Sequence, residues 1–417
     1  MLLTTESLNA TPWPKRWLWL GVAALAIAGL FSIILVAART PQLAAFQNLF
    51  SVALVVHVDL SVLVWFLAMA GMLIAYGENA RGLRWPLFQP VAFGTTALAT
   101  ALIALSPLDP EWLVVKSNYI PVLHNIVFLI GLALLMAGLL IAVLPSLFSS
   151  PAHGTSTQAM LERSTVWTAG IIATAITCFV ATAQRMPGDL PLDYRYELLF
   201  WAGGHTLQYM YTLLTMIGWL VLLAALGGTP GEKARRWLEW VFFTPLLVAF
   251  SSLPPFLMYD VTSAEFRNYF TQAMIYAGGI GPILFGPYVL YRLCRMRPER
   301  ASRALYASLV MSLLVFIVGG VIGHLIQGQN VTIPAHYHGS IVGVTLALMG
   351  LSYALLPQFG YRSVGAWRMA LWQPILYDDG WLIYSFAQLL QIPQSFQVPY
   401  PCCDEPLDYL DVLKERH

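Results

Sequence analysis

The chain is short of charge. Asp, Glu, Lys and Arg make up 10% of its 417 residues, where a soluble protein carries about 25%. The formal net charge is +1, so no charged partner is implied, and no basic patch points to nucleic acid. Cysteine is also scarce. Of the four present, Cys178 and Cys294 fall in or at the ends of apolar runs, where a small buried hydrophobe is the default. Cys402 and Cys403 adjoin each other without a second pair, which argues against a zinc or dinuclear copper site. The sequence has no Walker loop, no dinucleotide-binding glycine fingerprint and no acyl-transfer triad. No tandem repeat divides it.

What the chain has in abundance is apolar length. Hydrophobic residues make up 58% and the mean hydropathy is +0.67. Runs long enough to cross a bilayer, about 20 residues each, are expected near 17–38, 48–75, 88–106, 119–145, 165–183, 198–226, 238–258, 268–291, 304–324 and 333–356. An eleventh run near 366–392 is interrupted by Asp378 and Asp379. The first run is too long for a signal-peptide core and lacks a small-residue cleavage site, so it is expected to stay as the first helix. The expected fold class is an all-α integral membrane protein of about 11 transmembrane helices. Residues 1–392 form one transmembrane domain, and 393–417 form a polar tail that cannot span a bilayer.

Basic residues set the expected orientation. They crowd alternate connections, as at Lys233, Arg235 and Arg236 or Arg292, Arg295 and Arg297, and are sparse in the others (Arg39, Lys116, Arg185, Arg195, Arg267). The positive-inside rule then puts the N-terminus in the cytoplasm, a bacterial inner membrane being the expected location.

Histidines recur at matching depth in three of these runs: His57 in HVDLSVLVWF, His205 in GGHTLQY, and His336 and His338 in PAHYHGS. All three runs cross in the same direction and carry their histidines near the start, so the four lie in the outer half of the membrane. Imidazole in a membrane helix is costly without a partner, and convergent imidazoles usually share a metal. At 100° per residue, His336 and His338 point roughly 200° apart, so they cannot serve one site. They can hold two haems on opposite faces of one helix.

These segments resemble subunit I of the haem–copper oxidase superfamily, which includes cytochrome c oxidases and nitric oxide reductases. The resemblance covers about residues 45–360, clearest in helices two, six, eight and ten. It implies an oxidase-like helical bundle with His57 and His338 as axial ligands of a low-spin haem and His336 as the proximal ligand of a high-spin haem. FWAGGHTLQY resembles the segment whose histidine binds the second metal, copper or non-haem iron, which gives that role to His205. Tyr209, four residues on and so on the same helix face, matches the family's H-x-x-x-Y spacing and is the second candidate catalytic residue. No c-type attachment motif is present, so the haems would be held by coordination alone.

The departures are as specific as the matches. SAEFRNYFTQAM, from Ser263, resembles the family's helix-eight segment through Arg267, Tyr269 and Phe270. Counting back, the family's adjacent histidine pair falls on Pro255 and Phe256, which cannot bind a metal. Asp260 and Glu265 are the candidate replacements, since carboxylates suit a harder ion such as non-haem iron. The proton-relay glutamate and lysine of the family fall on Leu207 and about Leu284, so proton pumping is not expected. Asp59, near His57, is expected to cap a local hydrogen-bond network.

The resemblance implies a respiratory-complex subunit embedded in lipid, with other subunits beside it and a cytochrome or quinol as electron donor. Electrons would pass from the low-spin to the high-spin haem and reduce O2 or NO there. The missing histidine pair keeps open a second reading, a di-haem electron-transfer or gas-binding subunit without a binuclear centre. A third reading is a haem-free transporter.

Overall fold

A computed structural model describes residues 2–82, 85–109, 111–150, 152–326, 332–364 and 368–376. Among these residues, ten helices are long and apolar enough to cross a membrane: α1 (Trp13–Arg39), α2 (Ala45–Ala80), α3 (Phe88–Leu108), α4 (Ile126–Leu147), α5 (Thr157–Arg185), α6 (Leu192–Ala225), α7 (Glu232–Met258), α8 (Ala264–Leu293), α9 (Arg300–His324) and α10 (Thr332–Phe359). The protein is an all-α integral membrane protein, as its hydropathy predicts. A helix satisfies its own backbone polar groups, which is what an apolar solvent demands. The expected eleventh span and the polar tail lie largely outside the described residues.

Side-chain caps mark several helix starts. Asn125 Oδ1 accepts from Phe128 N at 2.8 Å, Ser156 Oγ from Ala159 N at 3.0 Å, and Ser263 Oγ from Phe266 N at 3.1 Å. The Asn125 cap corrects one expectation. Residues 119–125 do not open α4 but close a short hairpin between β1 (Val114–Val115) and β2 (Val122–Leu123). Pro121 suits this extended path, and His124 lies in the connection instead of on the helix.

Sequence-adjacent helices pack as pairs, α1 on α2, α3 on α4, α5 on α6 and α9 on α10, and α6 also touches α7, α8 and α10. Burial separates the helices into two groups. The apolar windows of α2, α6 and α10 are 78%, 89% and 67% buried, while no other helix exceeds 44%. The three helices that carry the candidate histidines are therefore the inner ones, and the rest form the lipid-facing shell. On α2 the turn after His57, Asp59–Val64, is wound as π-helix. Such turns are rare and gather at functional sites.

Candidate functional site

Two of the four histidines use a neighbouring helix to fix their rings. His57 Nδ1–H donates to Ala28 O of α1 at 2.9 Å. His336 Nδ1–H donates to Gly319 O of α9 at 2.8 Å. The other two bond one turn back on their own helix, His205 to Trp201 O at 2.8 Å and His338 to Pro334 O at 2.7 Å. An imidazole whose Nδ1 proton is so engaged carries its lone pair on Nε2, and this second-shell arrangement is the one that orients histidine ligands toward a metal. The turn-back bond is less specific than the cross-helix bond, since His324 at the end of α9 also bonds Gly320 O at 3.0 Å.

The backbone around His336 makes room for its ring. A Cβ on Gly323 would lie 2.6 Å from His336 Nδ1, and one on Gly319 would lie 2.5 Å from Ser340 N. These glycines let α9 and α10 approach closely, which brings the Gly319 carbonyl within reach of the imidazole. His338, on the other side of α10, is exposed and is an electrostatic neighbour of His57. The opposed directions expected for the H-x-H pair are thus observed. A cavity of about 410 Å³ runs between α1, α2 and α10, with His57, Ser61, Trp65, Met349 and Tyr353 among its lining residues. A half-buried imidazole with a free Nε2 lone pair, at the edge of a cavity lined mostly by apolar residues, would suit a flat, largely apolar group such as an iron porphyrin.

His205 is arranged differently. It is 3% exposed, and Tyr119 of the hairpin donates its hydroxyl to Nε2 at 2.8 Å. Both ring nitrogens are therefore engaged within the chain. Tyr119, Trp201 and Phe270 surround the ring at centroid distances of 4.6, 4.7 and 5.8 Å. Gly204 permits this, because a Cβ there would lie 2.4 Å from the Tyr119 ring. Asn118 ties the hairpin to Glu197, and His124 Nδ1 lies 2.8 Å from the Tyr196 hydroxyl. Burial beside Tyr337, Glu197 and Tyr209 holds the Tyr119 phenol well above its ordinary value, so it remains a donor.

The carboxylates proposed from sequence are placed elsewhere in function. Asp260 caps its own turn, accepting from Thr262 N at 2.8 Å and from its hydroxyl at 2.5 Å, bonds that hold its carboxyl below the usual range. Glu265 is exposed in the first turn of α8. Among the described residues no three His, Cys, Asp or Glu side chains come together as a metal-holding group. Phe256, at the place of the expected histidine pair, is buried with Phe266 and Phe270. Its ring lies 5.0 Å from Phe266, which lies 5.1 Å from Phe270. Tyr209 is 1% exposed, and its hydroxyl has no hydrogen-bond partner among the described residues. Asp59 corrects another expectation: it is buried, and among the described residues both carboxyl oxygens lack partners and it caps no network.

No family model matches this chain. A Rickettsia prowazekii (strain Madrid E) protein, "Uncharacterized protein RP382", is 33% identical over 399 residues, spanning 81% of this chain and 77% of its own length. An uncharacterized protein of Aquifex aeolicus (strain VF5) is 26% identical over 356 residues, spanning 83% and 85%. The chain belongs to the family of the Rickettsia prowazekii protein.

Proposed function

We propose that this protein is a haem-binding membrane subunit of the haem–copper oxidase subunit I type, working as a di-haem electron-transfer or gas-binding protein without a second metal at His205. The observation that carries this reading is the contrast among the histidines. His57 and His336 each give Nδ1–H to a carbonyl of another helix, which leaves the Nε2 lone pair for an axial ligand. His205 has both nitrogens engaged by Trp201 and Tyr119.

In this reading His57 and His338 hold a low-spin haem, and His336 holds a high-spin one. When bound, haem iron supplies one-electron transfer and, beside a single histidine, a position for a small gas. Ala28 and Gly319 keep the ligand rings in one tautomer and orientation, and the phenylalanines around Phe256 exclude water. A cytochrome or quinol donor, companion respiratory subunits, a cytoplasmic N-terminus and a bacterial inner membrane belong to the same proposal.

A reductase of O2 or NO is the second reading. The buried, unpartnered hydroxyl of Tyr209, one turn from His205, favours it, because such a group calls for a partner. Haem and total metal content of the purified, detergent-solubilised chain tests both. Two haems and no further metal support the di-haem reading, and two haems with one further copper or iron support the reductase. Absence of haem from protein expressed with ample haem supply overturns both and leaves the transporter.

A further inference from the structure

Where α6 and α8 begin, a groove of about 300 Å³ is lined by Trp201, Ala264, Arg267, Asn268 and Thr271. The four α8 residues follow the spacing of a single helix face, and Trp201 forms the opposite wall. Two bonds brace the groove: Trp201 Nε1–H and the Thr271 hydroxyl both donate to Arg267 O at 3.2 Å. Arg267 itself stands apart from other arginines at this end of the bundle. Arg185 donates to Phe256 O, and Arg195 donates to Gly188 O and Leu190 O. The Arg267 guanidinium makes no hydrogen bond among the described residues, and the ion pairs among those residues belong to Arg163, Arg235 and Arg236, where α5 and α7 begin, at the other end of the bundle. Its Nε is buried without a partner, and its one close neighbour of note is the Tyr194 ring, at 6.0 Å.

A half-buried, uncompensated guanidinium is a fork that matches an oxyanion with two oxygens. The site lies at a helix end with Trp and Tyr beside it, the composition of a membrane–water interface. Further along the same face of α8, seven residues after Asn268, Ile275 is exposed at 40%, an apolar position that would accept an acyl chain. We propose that the Arg267 groove binds a phosphate group, that of an anionic phospholipid headgroup. Free phosphate shares this chemistry.

Native mass spectrometry of the full chain in detergent, titrated with phosphatidylglycerol and separately with inorganic phosphate, tests the proposal. Arg267→Gln should weaken retention of one lipid by about tenfold, the loss expected for a charge-assisted contact. Ala264→Trp, which fills the groove and leaves the charge, should do the same and serves if the first variant fails to fold. Displacement of the lipid by inorganic phosphate would keep the oxyanion site and make its ligand the free ion. Equal retention of lipid and phosphate by wild type and the folded variants overturns the proposal.

Discussion

Replacing Tyr119 by Phe isolates the hydrogen bond that distinguishes His205 from the other histidines. Phe keeps the ring over Gly204, with its contacts to His205 and to Trp201 (5.9 Å between centroids), so the packing loss is small. What disappears is the donor to Nε2 of an imidazole that is 3% exposed. A buried acceptor left unsatisfied costs about 1–3 kcal/mol. In a chain of this length, that corresponds to a fall of roughly 1–3 °C in the midpoint of thermal unfolding in detergent. A double-mutant cycle sharpens the assay. With His205→Phe the same hydroxyl has no imidazole to serve, so the two substitutions together should be about 1 kcal/mol less damaging than their sum. Strict additivity would refute the bond. The pH dependence follows from the raised phenol. A raised folded-state pKa contributes stability that is complete below the unfolded value, about 10 for tyrosine, and is lost as pH rises through the folded value. The wild-type advantage should therefore be flat across neutral pH and shrink only in strong alkali.

Four other substitutions test the haem assignment and its scaffold. His57→Ala should remove the low-spin haem spectrum from a protein that still inserts, and an unchanged spectrum would sink that ligand assignment. His336→Ala should abolish carbon monoxide binding while the bis-histidine signal persists, and carbon monoxide binding retained in full would exclude His336 as the proximal ligand. Gly319→Val places its Cβ against the backbone at Ser340, which cannot yield as a side-chain tip does. The helices must part, at a cost of more than about 3 kcal/mol, measured as lost detergent-resistant folded protein. Gly323→Ala meets the His336 ring instead, so it should shift the haem spectrum with a smaller loss of stability.

The helices and the histidine positions were legible in the sequence because both rest on local rules. Twenty apolar residues imply a span wherever they occur, and the H-x-H spacing on a helix fixes opposed directions whatever the neighbours do. Which helices lie inside was not legible from hydropathy, since α1 is among the most apolar yet its window is 17% buried. Tyr119 was missed for a definite reason. Its apolar surroundings extend the α4 run, and the signals against helix there, Pro121 and the Asn125 cap, are weak beside twenty following apolar residues. Its pairing with His205 spans 86 positions, and no periodicity encodes a contact at that separation. The Ala28 and Gly319 carbonyls were equally hidden, since a main-chain oxygen leaves no mark on sequence.

Pro255 and Phe256, standing where the proposed resemblance expects a histidine pair, have a consequence for this whole end of the bundle. A metal site there would need polar groups on α7 and α8 directed at His205. The chain instead directs Phe256, Phe266 and Phe270 inward as one buried cluster with Leu198, Ala202 and Val261. Rings in edge contact at 5.0–5.1 Å stabilise by area and by quadrupole geometry, and neither term survives insertion of an ion and its waters. An imidazole facing such a cluster cannot recruit a second ligand from it, and burying that imidazole unpaired would be costly. A donor must then come from elsewhere, and the hairpin before α4 supplies one in Tyr119. The tyrosine and the phenylalanines are thus two parts of one arrangement. Building a metal site here should require Tyr119→Phe together with Pro255→His and Phe256→His, while either change alone should leave copper binding no tighter than in the wild type. Stoichiometric copper in the Tyr119→Phe variant alone would show that the hydroxyl by itself closes the site and that the phenylalanine cluster is incidental.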